Sequence, residues 1–223
     1  MNNLIEKIRG VVLAVVMAAG WLLLQVLGAY FAGEHLAWRM LLSHGVAAIA
    51  LWLMLRWGQA KFPRYAPAPI TRGSIQTRDV LILGSLMFLG YAANYLFAMV
   101  VSQPQEPYMH VVMSLGVGDL AMVVFAAAVI VPMSEELVFR HVLPGLTAEP
   151  APRLELLAIV RVVAAIAVFV WGHNQYQFVS TMVLLGLVAM LCMVARWKTG
   201  GLLLPVALHG FASLLALAFN AIY

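Results

Sequence analysis

Apolar stretches of roughly 20 residues recur along most of the chain, and no other feature restricts its fold as much. They lie near residues 11–32, 36–57, 79–101, 119–140, 156–174, 178–196 and 201–222. Each is about the length a helix needs to cross ~30 Å of hydrocarbon. In lipid every backbone N–H and C=O must be satisfied within the protein, so only helices and closed barrels qualify. The runs are continuous rather than alternating, which selects helices. The expected fold is all-α, a polytopic transmembrane helical bundle of about seven spans (about eight if one is broken) with no β-sheet. Composition agrees, with 64% of the 223 residues hydrophobic and 10% charged, against roughly 45–50% and about 25% in a soluble domain.

Lys7 and Arg9 precede the first run, as in a signal peptide. That run continues from Val11 to about Ala32, beyond the ~7–15 apolar residues of a signal, and reads as a retained first span. Proline-rich loops separate several spans: Gly58 to Arg78 with Pro63, Pro67 and Pro69, Val101 to Gly118 with Pro104 and Pro107, and His141 to Arg153 with Pro144, Pro150 and Pro152. Residues 1–118 read as N-terminal transmembrane helices, about three spans. Residues 119–223 hold the polar motifs described next and read as a helical core.

With the N-terminus inside, the inner segments hold Lys7, Arg9, Arg56, Lys61, Arg64, Arg72, Arg78, Arg140, Arg153, Arg196 and Lys198, eleven of the thirteen Lys and Arg. This asymmetry orients a membrane protein. It predicts a cytoplasmic N-terminus and an outer C-terminus. The net charge of +4 is then a topology signal and not the mark of a nucleic-acid partner. A single cysteine, Cys192, excludes an intrachain disulfide, a zinc–thiolate cluster and a CxxC redox motif.

Glu135 and Glu136 stand inside the fourth apolar run, in Val131-Pro132-Met133-Ser134-Glu135-Glu136-Leu137-Val138-Phe139-Arg140. An ionised side chain at bilayer depth costs at least about 2.5–3.5 kcal/mol and marks a bundle interior or watered cavity. Residues four apart share a helix face, so Glu136 can pair with Arg140. Glu135 lies about 100° round the helix, free to face a cavity. Phe169 precedes His173 by one turn, and His209 precedes Ser213 by one turn. A carboxylate and imidazoles around one water are the parts of a hydrolase: a base for the water and a donor for the oxyanion.

Glu135-Glu136-x-x-x-Arg140, Phe169-x-x-x-His173 and His209-x-x-x-Ser213, in this order on late helices, resemble the CPBP family. This is the family of CAAX-type prenyl endopeptidases and related bacterial glutamic intramembrane proteases. The resemblance covers roughly residues 119–222. It implies an intramembrane endopeptidase acting on a membrane-bound protein or peptide. Glu135 would activate water, His173 would assist it, His209 would help form the oxyanion hole, and Glu136, Arg140 and Phe169 would support the site. The family usually has Asn where this chain has Ser213, and a hydroxyl is shorter than an amide and donates one hydrogen bond. That implies an oxyanion hole that is weaker or completed by another group. The Gly that often follows the motif's Arg is His141 here, and nothing in the sequence accounts for it.

No cofactor is expected, although Glu135, His173 and His209 could supply a three-ligand site for a divalent metal such as zinc. The resemblance also allows a metal-free mechanism, and no HExxH signature is present. A non-enzymatic scaffold, immunity or transport-related protein would be the alternative owner of such a cluster. No internal repeat of the transporter kind is visible, and the oligomeric state is not legible.

Helical rise tests the convergence. If the fifth span begins at Arg153, His173 sits about 30 Å up, too far out to meet Glu135. If Arg161 marks the inner boundary, His173 falls to about 18 Å. Arg153–Val160 then becomes an interfacial segment and the Asn174–Gln177 turn dips toward the cavity. His35, His44 and His110 read as loop or packing residues, and Asp119 as the cap of the fourth span. Trp21, Trp38, Trp52, Trp57, Trp171 and Trp197 read mostly as interface anchors.

Overall fold

The computed structural model describes residues 2–145 and 155–223, and these hold helices and no strand. Pro150, Pro152 and Arg153 of the third proline loop lie outside the described residues. The helices are α1 (Asn2–Ala32), α2 (Leu36–Lys61), α3 (Thr77–Val100) and α4 (Pro107–Met113). After them come α5 (Val117–Val142), α6 (Leu156–Gly172), α7 (Val179–Thr199) and α8 (Leu203–Ala221). Six are long and apolar enough to cross a membrane, and the 17-residue α6 reaches about 26 Å. The chain is an integral membrane protein.

The sequence reading missed α4, which sits inside what it took as a loop. Pro107 opens it at the first position, where a missing N–H does no harm. Leu156–Val160 is no separate element but the beginning of α6. Asp119 is not a cap: Gly116 holds that position, and Asp119 lies in the first turn, where its charge favours the helix N-terminus. Trp21 is no interface anchor either. It is buried, and its Nε1–H donates to Ser134 Oγ at 2.8 Å, tying α1 to the residue before Glu135.

Cross-links at the two ends of the bundle fix the relative heights of the helices. At one end Lys7 pairs with Glu155 at 2.5 Å and Lys198 with Asp79 at 2.6 Å. The Lys7 ammonium holds the exposed Glu155 carboxyl below its usual range. The segment after α2 threads past the α7–α8 turn. There Thr71 Oγ1 donates to Gly200 O at 2.9 Å, and the N–H of Ser74 donates to Thr199 O at 2.8 Å. A Cβ on Gly201 would stand 2.2 Å from Gly73 N, so the two backbones can meet only through glycine. At the opposite end buried Glu106 accepts from the N–H of Gln177 at 2.9 Å and of Phe178 at 3.0 Å. That satisfies orphan donors at the start of α7 and pins the turn that follows His173.

Pro132 in the middle of α5 shapes the helix that carries both glutamates. Proline has no N–H to give the carbonyl four residues back, that of Ala128. Two wide turns flank it, at Ala126–Ile130 and Leu137–Val142. Val131 N–H bonds to Ala126 O, and Leu143 N–H to Val138 O at 2.9 Å, both five residues back. Such turns shift the side chains beyond them round the axis and recur at functional sites. Gly210 of α8 packs against the relieved strip of α5, where an added Cβ would stand 2.3 Å from Ala128 O. Its neighbour His209 is thereby held against α5.

Gly210→Ala should therefore lower the apparent melting temperature in detergent. Gly186→Ala, with no atom within 4 Å of the added carbon, should keep or raise it, since alanine is favoured by roughly 0.5–1 kcal/mol inside a helix. Equal melting temperatures for the two variants would contradict the close α5–α8 approach.

Candidate active site

Glu135 and Glu136 leave α5 on different sides, and their surroundings divide their work. Glu136 is fully buried: Arg140 Nε stands 3.3 Å from its Oε2, and His209 Nδ1 stands 2.9 Å from its Oε1. The Arg140 guanidinium is also fully buried and lies over the Phe169 ring, 4.9 Å from the centroid. One cation and one imidazole N–H thus neutralise Glu136 where water cannot. Glu135 has no such direct partner. Its Oε2 faces His209 Nε2 at 3.8 Å and His173 Nε2 at 3.9 Å, and its Oε1 faces His44 Nδ1 at 4.0 Å.

The structure therefore brings Glu135, Glu136, Arg140, Phe169, His173 and His209 together. Phe169 is the hub, 1% exposed, with its ring 4.4 Å from that of His173 and 5.7 Å from that of His209. Phe139 packs edge-on against it at 5.3 Å, and Trp21 edge-on against Phe139 at 5.7 Å. Ser213 lines the same cavity as Glu135, His173 and His209.

Hydrogen bonds orient two of the imidazoles alike. His173 caps α6, and its Nδ1 lies 2.7 Å from Phe169 O. A carbonyl only accepts, so Nδ1 carries a proton, and Nε2 turns to Glu135. His209 Nδ1 donates to the Glu136 carboxylate, and its Nε2 turns to Glu135 in the same way. The loop after His173 lies at the cavity: Gln175 and Tyr176 line it, and Tyr176 stacks parallel to His173 with centroids 6.4 Å apart. Arg161 donates from Nε to Leu143 O at 2.7 Å and from Nη2 to Val142 O at 3.1 Å. It lies level with the end of α5, satisfying carbonyls that the helix terminus leaves open.

Sequence reasoning missed His44. It lies within α2 and not in a loop. It projects from α2 to the free side of Glu135, and Gln25 Nε2 of α1 lies 3.1 Å from its Nδ1. Its position follows a buried stripe, Ser43, Ala47, Leu51 and Leu55, whose spacing of four seats α2 in the bundle. The signal available was a polar pair, Gln25 and His44, inside two otherwise apolar spans. No motif joined them.

Two spaces meet at Glu135. One, of about 170 Å³, lies inside the bundle and is bounded by His44, Tyr108, Glu135, His173, His209 and Ser213. At ~30 Å³ per water it is wide enough for several. The other, of about 440 Å³, is a groove between α1 and α6 walled by Val15, Ala18, Leu22, Val168 and Trp171 and ending on Glu135. Zinc ligands with bonds of about 2.0–2.1 Å stand about 3.3 Å apart in a tetrahedral site. The separations of 3.8 and 3.9 Å between Glu135 and the two histidines are wider. Among the described residues no group of three His, Cys, Asp or Glu is arranged to hold a metal.

Comparison with known proteins finds a relative over most of the chain and a family model over the part that carries this cluster. The chain is 30% identical over 157 residues to an uncharacterized 24.3 kDa protein of Escherichia coli, covering 70% of each. No solved structure matches. The family model described as type II CAAX prenyl endopeptidase Rce1-like matches residues 117–215, which include Glu135, Glu136, Arg140, Phe169, His173, His209 and Ser213. The chain belongs to this Rce1-like family of CAAX-type endopeptidases.

Proposed function

We propose that the protein is an intramembrane endopeptidase in which Glu135 activates water to hydrolyse a peptide bond of a membrane-associated protein or peptide. The reading rests above all on the environment of Glu135. Its carboxylate lies at membrane depth, faces a cavity, and is ringed by imidazole nitrogens at 3.8–4.0 Å, while the adjacent Glu136 is already neutralised. A carboxylate retained for stability alone would have a partner of its own. One kept for proton transfer needs access to water and an imidazole.

The steps follow from the donors present. A water between Glu135 and His173 gives its proton to the Glu135 carboxylate as its oxygen attacks the scissile carbonyl carbon. The C=O electron pair moves onto the oxygen, where a donor from the His209 side stabilises it. Glu136 keeps His209 oriented through the Nδ1–H bond, and Arg140 pairs with Glu136. When the intermediate collapses, the C–N bond breaks and the leaving nitrogen takes the proton held by Glu135. This route uses no metal. The groove between α1 and α6 supports lateral entry of an acyl or prenyl chain with its peptide. We read residues 1–118 as the wall and entry of the site and 119–223 as its catalytic core.

We further read the protein as oriented in a bacterial inner membrane with the N-terminus in the cytoplasm. Lys7 and Lys198 lie at one end of the bundle with Asp79 and Glu155, the basic end that the membrane retains inside. A C-terminal alkaline phosphatase fusion should then be active and a fluorescent-protein fusion dark. The reverse pattern would overturn this orientation.

Cleavage of an internally quenched, lipidated CAAX peptide in proteoliposomes tests the mechanism. Glu135→Gln and His173→Ala should each lower kcat by about 10²–10⁴-fold, and chelators should leave the wild-type rate unchanged. Wild-type cleavage by Glu135→Gln would remove the proposed base. Val168→Trp, placed in the groove at a distance from the base, should raise KM for the lipidated peptide with little change in kcat. An unchanged KM would remove lateral entry.

A further inference from the structure

We infer that the substrate peptide reaches Glu135 from the end of the bundle that carries α4, so the protein takes membrane-anchored chains whose scissile segment lies on the outer face. The inference rests on the proposed hydrolysis and on the orientation given with it. It adds the side from which the peptide is presented.

The basic end is closed beneath the site. By helical rise Glu135 lies nearer that end, about 10 Å from Val142 against about 27 Å from Val117. The shorter route is nevertheless filled with packed side chains. Val138, Phe139, Arg140, His141 and Val142 of α5 are all buried, as are Cys192, Ala195, Arg196 and Thr199 of α7. The segment after α2 lies across the α7–α8 turn, with Ser74 N–H on Thr199 O and Gly73 against Gly201. A peptide entering here would have to part these backbones and the Glu136–Arg140 pair.

The opposite end has no such plug. Helix α6 stops at Gly172, and its cap His173 is already level with Glu135, with 3.9 Å between Nε2 and Oε2. Beyond that level the turn 174–177 replaces a helical wall. The interior cavity runs the same way, from Glu135 and Phe169 to Met40, Tyr108, Gln175 and Leu217. These four belong to the end away from Lys7 and Lys198. Gln175 is exposed, whereas Glu135 at the floor is buried. A smaller space of about 80 Å³ adjoins the cavity across Tyr91 and Tyr176 and is bordered by Asn94, Gln103, Gln105 and Asn220. Such amides can bond the N–H and C=O groups of an extended peptide. Gln175 also borders the lateral groove. An anchor held between α1 and α6 and a peptide descending from the α4 end thus meet at Glu135.

The experiment uses the full chain in proteoliposomes, with the quenched lipidated CAAX peptide added outside. Cys192 is the only cysteine and is buried, so a bulky membrane-impermeant maleimide reads single introduced cysteines. Gln175→Cys places one at the proposed mouth. Gln76→Cys places one at the basic end, just before α3. Each variant is compared with itself before labelling. Labelled Gln175→Cys should lose nearly all cleavage of the external peptide, and labelled Gln76→Cys should keep its rate. Asn174→Cys, exposed on the same turn, repeats the test where Gln175→Cys alone impairs the enzyme. Loss on labelling Gln76→Cys overturns the route, as does retained cleavage in labelled Gln175→Cys while Glu135→Gln is inactive. Equal rates for wild type and Glu135→Gln overturn the hydrolase reading itself. In spheroplasts the same maleimide should label Gln175→Cys and spare Gln76→Cys. The reverse pattern puts the mouth on the cytoplasmic face and overturns the outer-face substrate.

Discussion

Two carboxylates next to each other at bilayer depth cannot both remain charged unless something in the protein distinguishes them. Here Arg140 and His209 take one and leave the other. Glu136 is surrounded by a guanidinium and an imidazole N–H with no access to solvent. Removing one partner from such a buried pair costs on the order of 3–5 kcal/mol, which fixes the rotation of α5 and the position of α8. Once that rotation is set, Glu135 is turned about 100° away, into the cavity. The arrangement of α6, α7 and α8 around α5 follows the need to cover Arg140 and Glu136 with apolar and aromatic surface.

Phe169 links that coverage to the chemistry. Its ring lies under Arg140 and against both His173 and His209, and its carbonyl sets the His173 tautomer. One residue thereby packs the ion pair and touches two imidazoles, so the hydrophobic core and the polar site form one unit. Pro132 and Gly210 contribute through the backbone. Proline interrupts the hydrogen-bond ladder of α5, the wide turns absorb the interruption, and glycine lets α8 approach the strip so exposed.

Much of this is written in local sequence, because the physical signals involved are local. Span length follows from uninterrupted apolar runs, and the Glu136–Arg140 pair follows from a spacing of four. Glu135, His173 and His209 could be grouped through three ordered motifs. Other features depend on contacts between distant helices and left weaker traces. His44 and Gln25 belong to different spans, and only the packing of α1 against α2 shows that the two side chains meet beside Glu135. Trp21 resembles the exposed Trp38 and Trp57 in sequence, yet it is buried by Ser134 and Phe139. The short helix α4 was hidden by its prolines, and the wide turns of α5 have no sequence signature beyond Pro132.

The account stands on the meeting of one acidic side chain from α5 with imidazoles from α2, α6 and α8 around a watered space. An experimental density map of the protein in a lipid nanodisc tests this most directly. The account predicts Glu135 with ring nitrogens of His44, His173 and His209 all within about 5 Å, close enough to share one water, and Glu136 paired with Arg140. A map that put any of these imidazoles against lipid, or seated Arg140 on Glu135 instead, would contradict it.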